Sequence, residues 1–110
     1  MTGAGQACGR AIAEDFGGRG ASVVVNDINA DGGQETVRRI EATGGTATFI
    51  QADVSVESEV AGLVDTAVRT YGRLDVAVNN AGTEFTNLEG MRACLKHEIR
   101  VMRASGGGIV

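Results

Sequence analysis

No proline and no tryptophan occur in these 110 residues, and aromatic residues make up only 4% of them. Without proline there is no polyproline segment and no ring-fixed turn. The 17 glycines must therefore do the turning, and they fall at punctuation points between periodic segments, where they read as turns and loops rather than as a low-complexity run. Lysine is almost absent, Lys96 being the single one, and the formal net charge is −4. Neither a nucleic acid nor an anionic membrane is an expected partner, because counterion release and surface attraction both need clustered Lys and Arg. No apolar run approaches the roughly 20 residues of a membrane helix, and the N-terminus carries no basic and then apolar leader. A cytoplasmic location is the expectation. The two cysteines, Cys8 and Cys94, lie far apart and form no C-x-x-C pair, which leaves no disulfide framework and no zinc knuckle. Both are expected to be reduced packing residues.

What is present is one domain's worth of chain, 43% hydrophobic and 22% charged. Ile12, Ala13 and Phe16 recur at helical spacing from Gly9 to about Gly18, and the Gly17–Gly20 stretch marks a helix end. Ser22 to Asn26 carries Val23-Val24-Val25 unbroken, as a strand buried on both faces of a parallel sheet does. Ala30 to Thr43, with a thin apolar stripe of Val37 and Ile40, predicts a second helix stopped at Gly44-Gly45, and Thr46 to Gln51 a second strand. The clearest helix starts at Ser55, which with Ser58 and Glu59 offers an N-cap, and holds Val56, Val60, Leu63, Val64, Ala67, Val68 and Tyr71 on one face up to Gly72. Leu74 to Val78 predicts a further buried strand. A last helix, about Gly90 to Ala104, carries Met91, Leu95, Ile99 and Met102, and Gly106-Gly107-Gly108 leads on to Ile109-Val110. Alternating helices and short Val-rich strands describe an α/β fold with a parallel sheet.

The chemistry sits in the connections. Thr2-Gly3-Ala4-Gly5-Gln6-Ala7-Cys8-Gly9 opens the first helix, and a Gly-rich turn there brings backbone N–H groups and the positive end of the helix dipole against a phosphate. Asp27 closes the next strand roughly 20 residues on, where a carboxylate accepts both hydroxyls of an adenosine ribose and repels a 2′-phosphate. Together they predict a dinucleotide, NAD rather than NADP.

At this point the chain resembles the classical short-chain dehydrogenase/reductase family. Thr2-Gly3 through Gly9 is similar to its T-G-x-x-x-[GA]-x-G fingerprint, with Ala7 in the middle glycine position, where a methyl is expected to crowd helix packing slightly. Asp53-Val54 is similar to the family's adenine-contacting pair, and Asn79-Asn80-Ala81-Gly82 to its N-N-A-G motif. The resemblance covers essentially the whole chain and implies a partial Rossmann-like, doubly wound parallel sheet over residues 1–110. It implies that Gly3, Gln6, Cys8 and Gly9 line the pyrophosphate, that Asp27 holds the ribose and Asp53 and Val54 the adenine, and that Asn80, Ala81 and Gly82 border the cofactor. It further implies NAD(H)-dependent hydride transfer between an alcohol and a carbonyl.

Three departures stand beside these matches. The family's first strand precedes the Gly-rich loop, so the chain is expected to lack it. Between about Asn87 and Met91, Leu88-Glu89-Gly90 leads almost directly into the last helix, where the family has a longer segment with its active-site Asn. The catalytic Ser and the Tyr-x-x-x-Lys pair are also not found: Tyr71 is the sole tyrosine and Asp75 stands four residues beyond it. A tyrosine acid with a lysine to lower its pKa is what this chemistry needs, so no catalytic residue is assigned. The alternatives are a non-catalytic module pairing with an intact family member, as a homo- or hetero-oligomer through the helix around Met91–Met102, or a fragment with no stable fold.

Two other patterns imitate metal sites. Asp27-x-Asn29-x-Asp31-Gly32 begins like a calcium loop but has Arg38 at the closing acidic position, and His97-Glu98 begins like a zinc-protease motif but has Val101 where the second His belongs. No metal is assigned; His97 is expected on the helix surface. Arg92, Lys96, Arg100 and Arg103 are expected to form a solvated basic face.

Overall fold

The structure is a computed structural model that describes residues 1–81 and 88–104, with side chains described from Met91 onward in the second stretch. Gly82, Asn87 and residues 105–110, Ile109-Val110 among them, lie outside the described residues. The chain divides into two compact units, Met1–Ala52 and Asp53–Val110.

The first unit runs α1 (Ala7–Gly18), β1 (Ser22–Asp27), α2 (Ala30–Ala42) and β2 (Thr46–Gln51). The two strands pair in parallel, in register from Ser22 opposite Thr46 to Asp27 opposite Gln51, and both helices pack against the sheet. Its core joins Ala13 of α1, Val23 and Val25 of β1, Val37 and Ile40 of α2 and Ala47 of β2, with Ala4 of the opening loop. Both helices end by the same device. Gly20 and Gly44 are left-handed, at φ +92° and +86°, and the amides around them turn back to free carbonyls: Gly20 N to Gly17 O at 3.2 Å and Ala21 N to Phe16 O at 3.1 Å, then Gly44 N to Glu41 O and Gly45 N to Ile40 O at 3.0 Å each. These are the stops that the glycine clusters predict.

Other glycines do not punctuate. Gly33 lies inside α2, where a Cβ would come 2.0 Å from the Phe49 ring of β2, and Gly17 lies inside α1, where one would come 2.6 Å from Ile40. Close packing of helix on strand and helix on helix, rather than turning, requires glycine at both places. At the N-terminus, Met1 N donates to Val24 O and Asn26 N donates to Met1 O, each at 3.0 Å. Two bonds flanking Val25 in this sense are a single parallel bridge.

The second unit holds α3 (Glu57–Tyr71) and α4 (Leu88–Ala104). They pack on each other through Val60 and Val64 against Cys94 and Val101, with Val54, Val68 and Leu74 at the margin. Two expectations are corrected here. The cap of α3 is Val56, with no side-chain bond; Ser55 instead gives its hydroxyl and its amide to Asp53 Oδ1, at 2.6 and 2.9 Å. A carboxylate two residues upstream captures the serine more readily than the helix amides do. Leu74 to Val78 is not a full strand, for only Val76 forms a β-bridge. Val76 is 38% exposed and the exposed Arg73 and Asp75 pair with each other at 2.6 Å, so the run is not buried on both faces as its composition predicts.

Candidate functional site

The Gly-rich loop is built from turns. Gly3 has φ +63° and Ala7 φ +50°, and between them Gln6 is extended. The sequence places the difficulty of Ala7 in helix packing; the structure places it in the backbone, because Ala7 is exposed and adopts a left-handed conformation that L-residues with a Cβ disfavour. Ala4 N donates to Asn26 O at 3.0 Å, which lays the loop beside the end of β1.

Asp27 is what the loop leans on. Its Oδ2 accepts from Gly5 N and its Oδ1 from Asn29 N, both at 2.9 Å. Gly5 is glycine because a Cβ there would stand 2.8 Å from the Asp27 carboxyl. Gly3, Gln6, Cys8, Gly9 and Asp27 are therefore brought together in the first unit. Gln6 and Cys8 are exposed, Gly9 is buried in α1, and Asp27 is half-buried. Cys8 faces solvent at the start of α1 and is not a packing residue as expected; only Cys94 is buried.

The start of α1 differs chemically from those of its neighbours. It has no side-chain cap bond and no acid in its first turn. In α2 the Asn29 side chain accepts from Gly32 N and Asp31 follows, and α3 carries Glu57 and Glu59. An uncapped N-terminus with a Gly-rich approach is where amide groups and dipole suit an anion.

Three residues that hold this loop were not singled out from the sequence. Arg10 spans it, with Nη2 donating to Gly5 O at 2.6 Å and to Gly32 O at 3.3 Å, and Nε to Thr36 Oγ1 at 3.0 Å. Thr36 is fully buried and donates to Ala4 O at 2.7 Å. Asn26 is buried beneath Asp27 and gives both amide protons across the sheet, to Ile50 O at 3.0 Å and Ala52 O at 3.2 Å. The usable signals were a polar Thr on the apolar stripe of α2 and an Asn ending a valine run, both costly in a core unless bonded.

Of the residues assigned to adenine and cofactor border, all belong to the second unit. Asp53 is half-buried, and the Ser55 hydroxyl, then its amide, hold its carboxyl below the usual carboxylate range. Val54 borders the α3–α4 core. Asn80 and Ala81 are half-buried, and Gly82 is outside the described residues. The preceding Asn79 donates from Nδ2 to Glu98 Oε1 of α4 at 2.9 Å.

The patterns that imitate metal sites have other uses. Asn29 caps α2 and both Asp27 oxygens accept backbone amides. His97 is not on the helix surface: its side chain is 13% exposed, 3.4 Å from Glu57 Oε1. The basic face is not simply solvated either. Lys96 pairs with Glu57 at 2.9 Å and Arg100 with Asp65 at 2.8 Å, both on α3. Those cations, Lys96 and Arg100, hold the Glu57 and Asp65 carboxyls below their ordinary values. Among the described residues, no helix is long and apolar enough to cross a membrane.

Comparison with known proteins agrees with this architecture. The model of the family described as short chain dehydrogenase matches residues 1–105. An uncharacterised oxidoreductase of Thermotoga maritima is 37% identical over an alignment 127 positions long, which takes in 100% of this chain and 50% of the relative. The 7alpha-hydroxysteroid dehydrogenase of Escherichia coli K12 is 45% identical over 82 residues, 74% of this chain and 32% of that protein. Among solved structures, a hydroxysteroid dehydrogenase from Escherichia coli superposes with a TM-score of 0.86 at 32% identity, over 99% of this chain and 54% of that one. A metagenomic short-chain oxidoreductase solved in complex with NADP gives 0.89 at 28%, over 99% and 58%. The chain thus spans at most about half the length of these curated relatives. With a family match along nearly all its length and a Rossmann-like fold shared at this level, the chain belongs to the short chain dehydrogenase family.

Proposed function

We propose that residues 1–110 form the NAD(H)-binding part of an oxidoreductase that moves hydride between an alcohol and a carbonyl. The observation that carries this reading is the tie between Gly5 N and Asp27 Oδ2, which holds the loop before an uncapped helix start against the carboxylate that ends β1, the group proposed to accept the ribose. The pyrophosphate would lie at Gly3, Gln6, Cys8 and Gly9, with the ribose on Asp27. Asp53 and Val54 would serve the adenine, and Asn80, Ala81 and Gly82 the border of the cofactor. A carboxylate at the ribose disfavours a 2′-phosphate, which supports NAD over NADP for this chain, although one solved relative was crystallised in complex with NADP.

When bound, the cofactor supplies the hydride; the chain's own residues bind and orient it. None of the 110 residues is assigned as catalytic, since Tyr71 closes α3 and has no lysine four residues on. Calorimetric titration with NADH and NADPH tests the reading. Binding of NADH at least tenfold tighter than NADPH supports it, and a folded chain that binds neither removes it.

A second reading has its own observation. On α4, Met102 is buried, but Met91 and Ile99 are 44% and 46% exposed. That pair could meet a second copy or an intact relative, making the chain an interaction module. Light scattering on the chain alone and mixed with a full-length family member decides it: a monomer in both cases excludes this role.

A further inference from the structure

We propose that Glu98 is a neutral carboxylic acid that donates its proton to Asn79 Oδ1 while accepting from Asn79 Nδ2, closing an acid–amide ring that positions the Asn79–Ala81 segment. The inference rests on the reading of Asn80 and Ala81 as the border of the cofactor, but its first test does not. Three observations lead to it. Among the described residues Glu98 is the one buried charged residue, only 6% exposed, and no ion pair accompanies it there. Its Oε1 receives Asn79 Nδ2 at 2.9 Å. The other half of that amide, Asn79 Oδ1, is buried and has no donor among the described residues.

A carboxylate leaves this arrangement incomplete twice over, with a buried charge unpaired and a buried carbonyl unsatisfied, and each costs free energy. One proton on Glu98 Oε2 answers both. Placed between Oε2 and Asn79 Oδ1, it makes the second bond of a ring whose first bond is already formed, and the acid then has no net charge to desolvate. The surroundings favour the neutral form. Burial pushes the Glu98 carboxyl above its usual value, against a smaller opposing effect of the Asn79 bond. Within its own unit, the titratable group beside it is the Cys94 thiol, one turn back on α4. Burial, and secondarily the Glu98 charge, raises that thiol to about 11, so it stays protonated as well. The α3 side chains that pack with Cys94 and Val101, which lie on either side of Glu98 along α4, are the apolar Val60 and Val64.

Glu98 in this scheme is a positioning residue and not a catalytic one. Helix α4 grips the loop through it at Asn79, and the next two residues are those assigned to the cofactor. Loss of the proton breaks the Oε2–H···Oδ1 bond and sets a carboxylate against a carbonyl dipole. The grip is therefore present at low pH and lost as pH rises through the folded value of Glu98.

The test uses the 110-residue chain carrying carbon-13 at the glutamate carboxyl carbons, with the Glu98 signal identified by its loss in Glu98→Gln. The expected result is a Glu98 midpoint clearly above the ordinary 4.5. NADH affinity is then measured across the same pH range. In the unsubstituted chain it weakens as pH rises through that midpoint. In Glu98→Gln, whose neutral amide makes both bonds, it keeps the low-pH value throughout. Glu98→Ala is weakened roughly tenfold at every pH, as the N–H and the carbonyl of the Asn79 amide both lose their partner. A midpoint at the ordinary value, or Glu98→Gln weakened as much as Glu98→Ala, overturns the proposal. Because the carbon titration needs no nucleotide, failure of all variants to bind NADH would remove the cofactor reading while the ring still stands or falls on its own midpoint.

Discussion

Asp27 Oδ2 accepts a hydrogen bond from Gly5 N at 2.9 Å, so the residue that ends β1 also fixes the loop that opens α1. The residues are far apart in sequence, and the contact joins the proposed pyrophosphate and ribose parts of the site, both within the first unit. Asp27→Ala removes the acceptor for both Gly5 N and Asn29 N. Urea unfolding is expected to show a loss of about 1–3 kcal/mol, and NADH binding a loss beyond tenfold. Unchanged stability would mean that Arg10, Thr36 and the Asn26 carbonyl hold the loop without Asp27.

Ala7 sits at φ +50°, a conformation that costs a residue with a Cβ about 1–2 kcal/mol. Ala7→Gly relieves it at the expense of a more flexible unfolded chain, so the net expected gain is about 0.5 kcal/mol. A small rise in thermal midpoint checks this, and a fall contradicts the backbone assigned to the loop.

Gly33→Ala tests the packing of α2 on β2. The added Cβ would come 2.0 Å from the Phe49 ring, so the helix must lift or the ring must turn, at a cost of about 1–3 kcal/mol. The helix propensity of Ala alone predicts the opposite sign, which makes the direction of the change decisive.

The two thiols should behave differently. Cys8 is exposed and Cys94 buried, the latter with its pKa raised to about 11 by burial first and then by Glu98. Iodoacetamide at pH 8 is expected to modify Cys8 and spare Cys94 in the folded chain, as mass spectrometry of the digested product would show. NADH should slow the labelling of Cys8 if the pyrophosphate lies where proposed.

Acid stability has a defined sign. The Ser55 bonds, Lys96 and Arg100 lower the folded pKa values of Asp53, Glu57 and Asp65 respectively from ordinary values of 3.8, 4.5 and 3.8. Their contribution is complete above those ordinary values and disappears as pH falls through the lower folded ones. Glu98 acts the other way, favouring the fold at low pH and losing that contribution as pH rises from 4.5 to its folded value. Ser55→Ala should return the Asp53 carboxyl toward 3.8, read by its carbon resonance across an acid titration.

How much of this was legible in the sequence differs from element to element. Helices α1 and α2 and both strands were, because Gly17–Gly20 and Gly44-Gly45 mark ends that local backbone conformation alone decides. The stretch Leu74 to Val78 was misread, since its valines predict burial on two faces and burial depends on neighbours that periodicity does not contain. Gly33 was misread for the same reason, as its need is set by Phe49 across the sheet. At the site, the loop and Asp27 could be found by spacing and by the family resemblance. Arg10, Thr36 and Asn26 were not, although a polar Thr on the stripe of α2 and an Asn ending a valine run were signals of bonded core groups, because each acts through a backbone carbonyl brought close only by the fold, and a carbonyl has no letter in the sequence.

The most direct measurement is a proton–nitrogen correlation spectrum of the chain titrated with NADH. The account predicts dispersed peaks whose shifts concentrate at Gly3, Gln6, Cys8, Gly9 and Asp27, leaving the outer face of α2 at Arg38 unmoved. A dispersed spectrum in which those amides stay still at saturating NADH would contradict it.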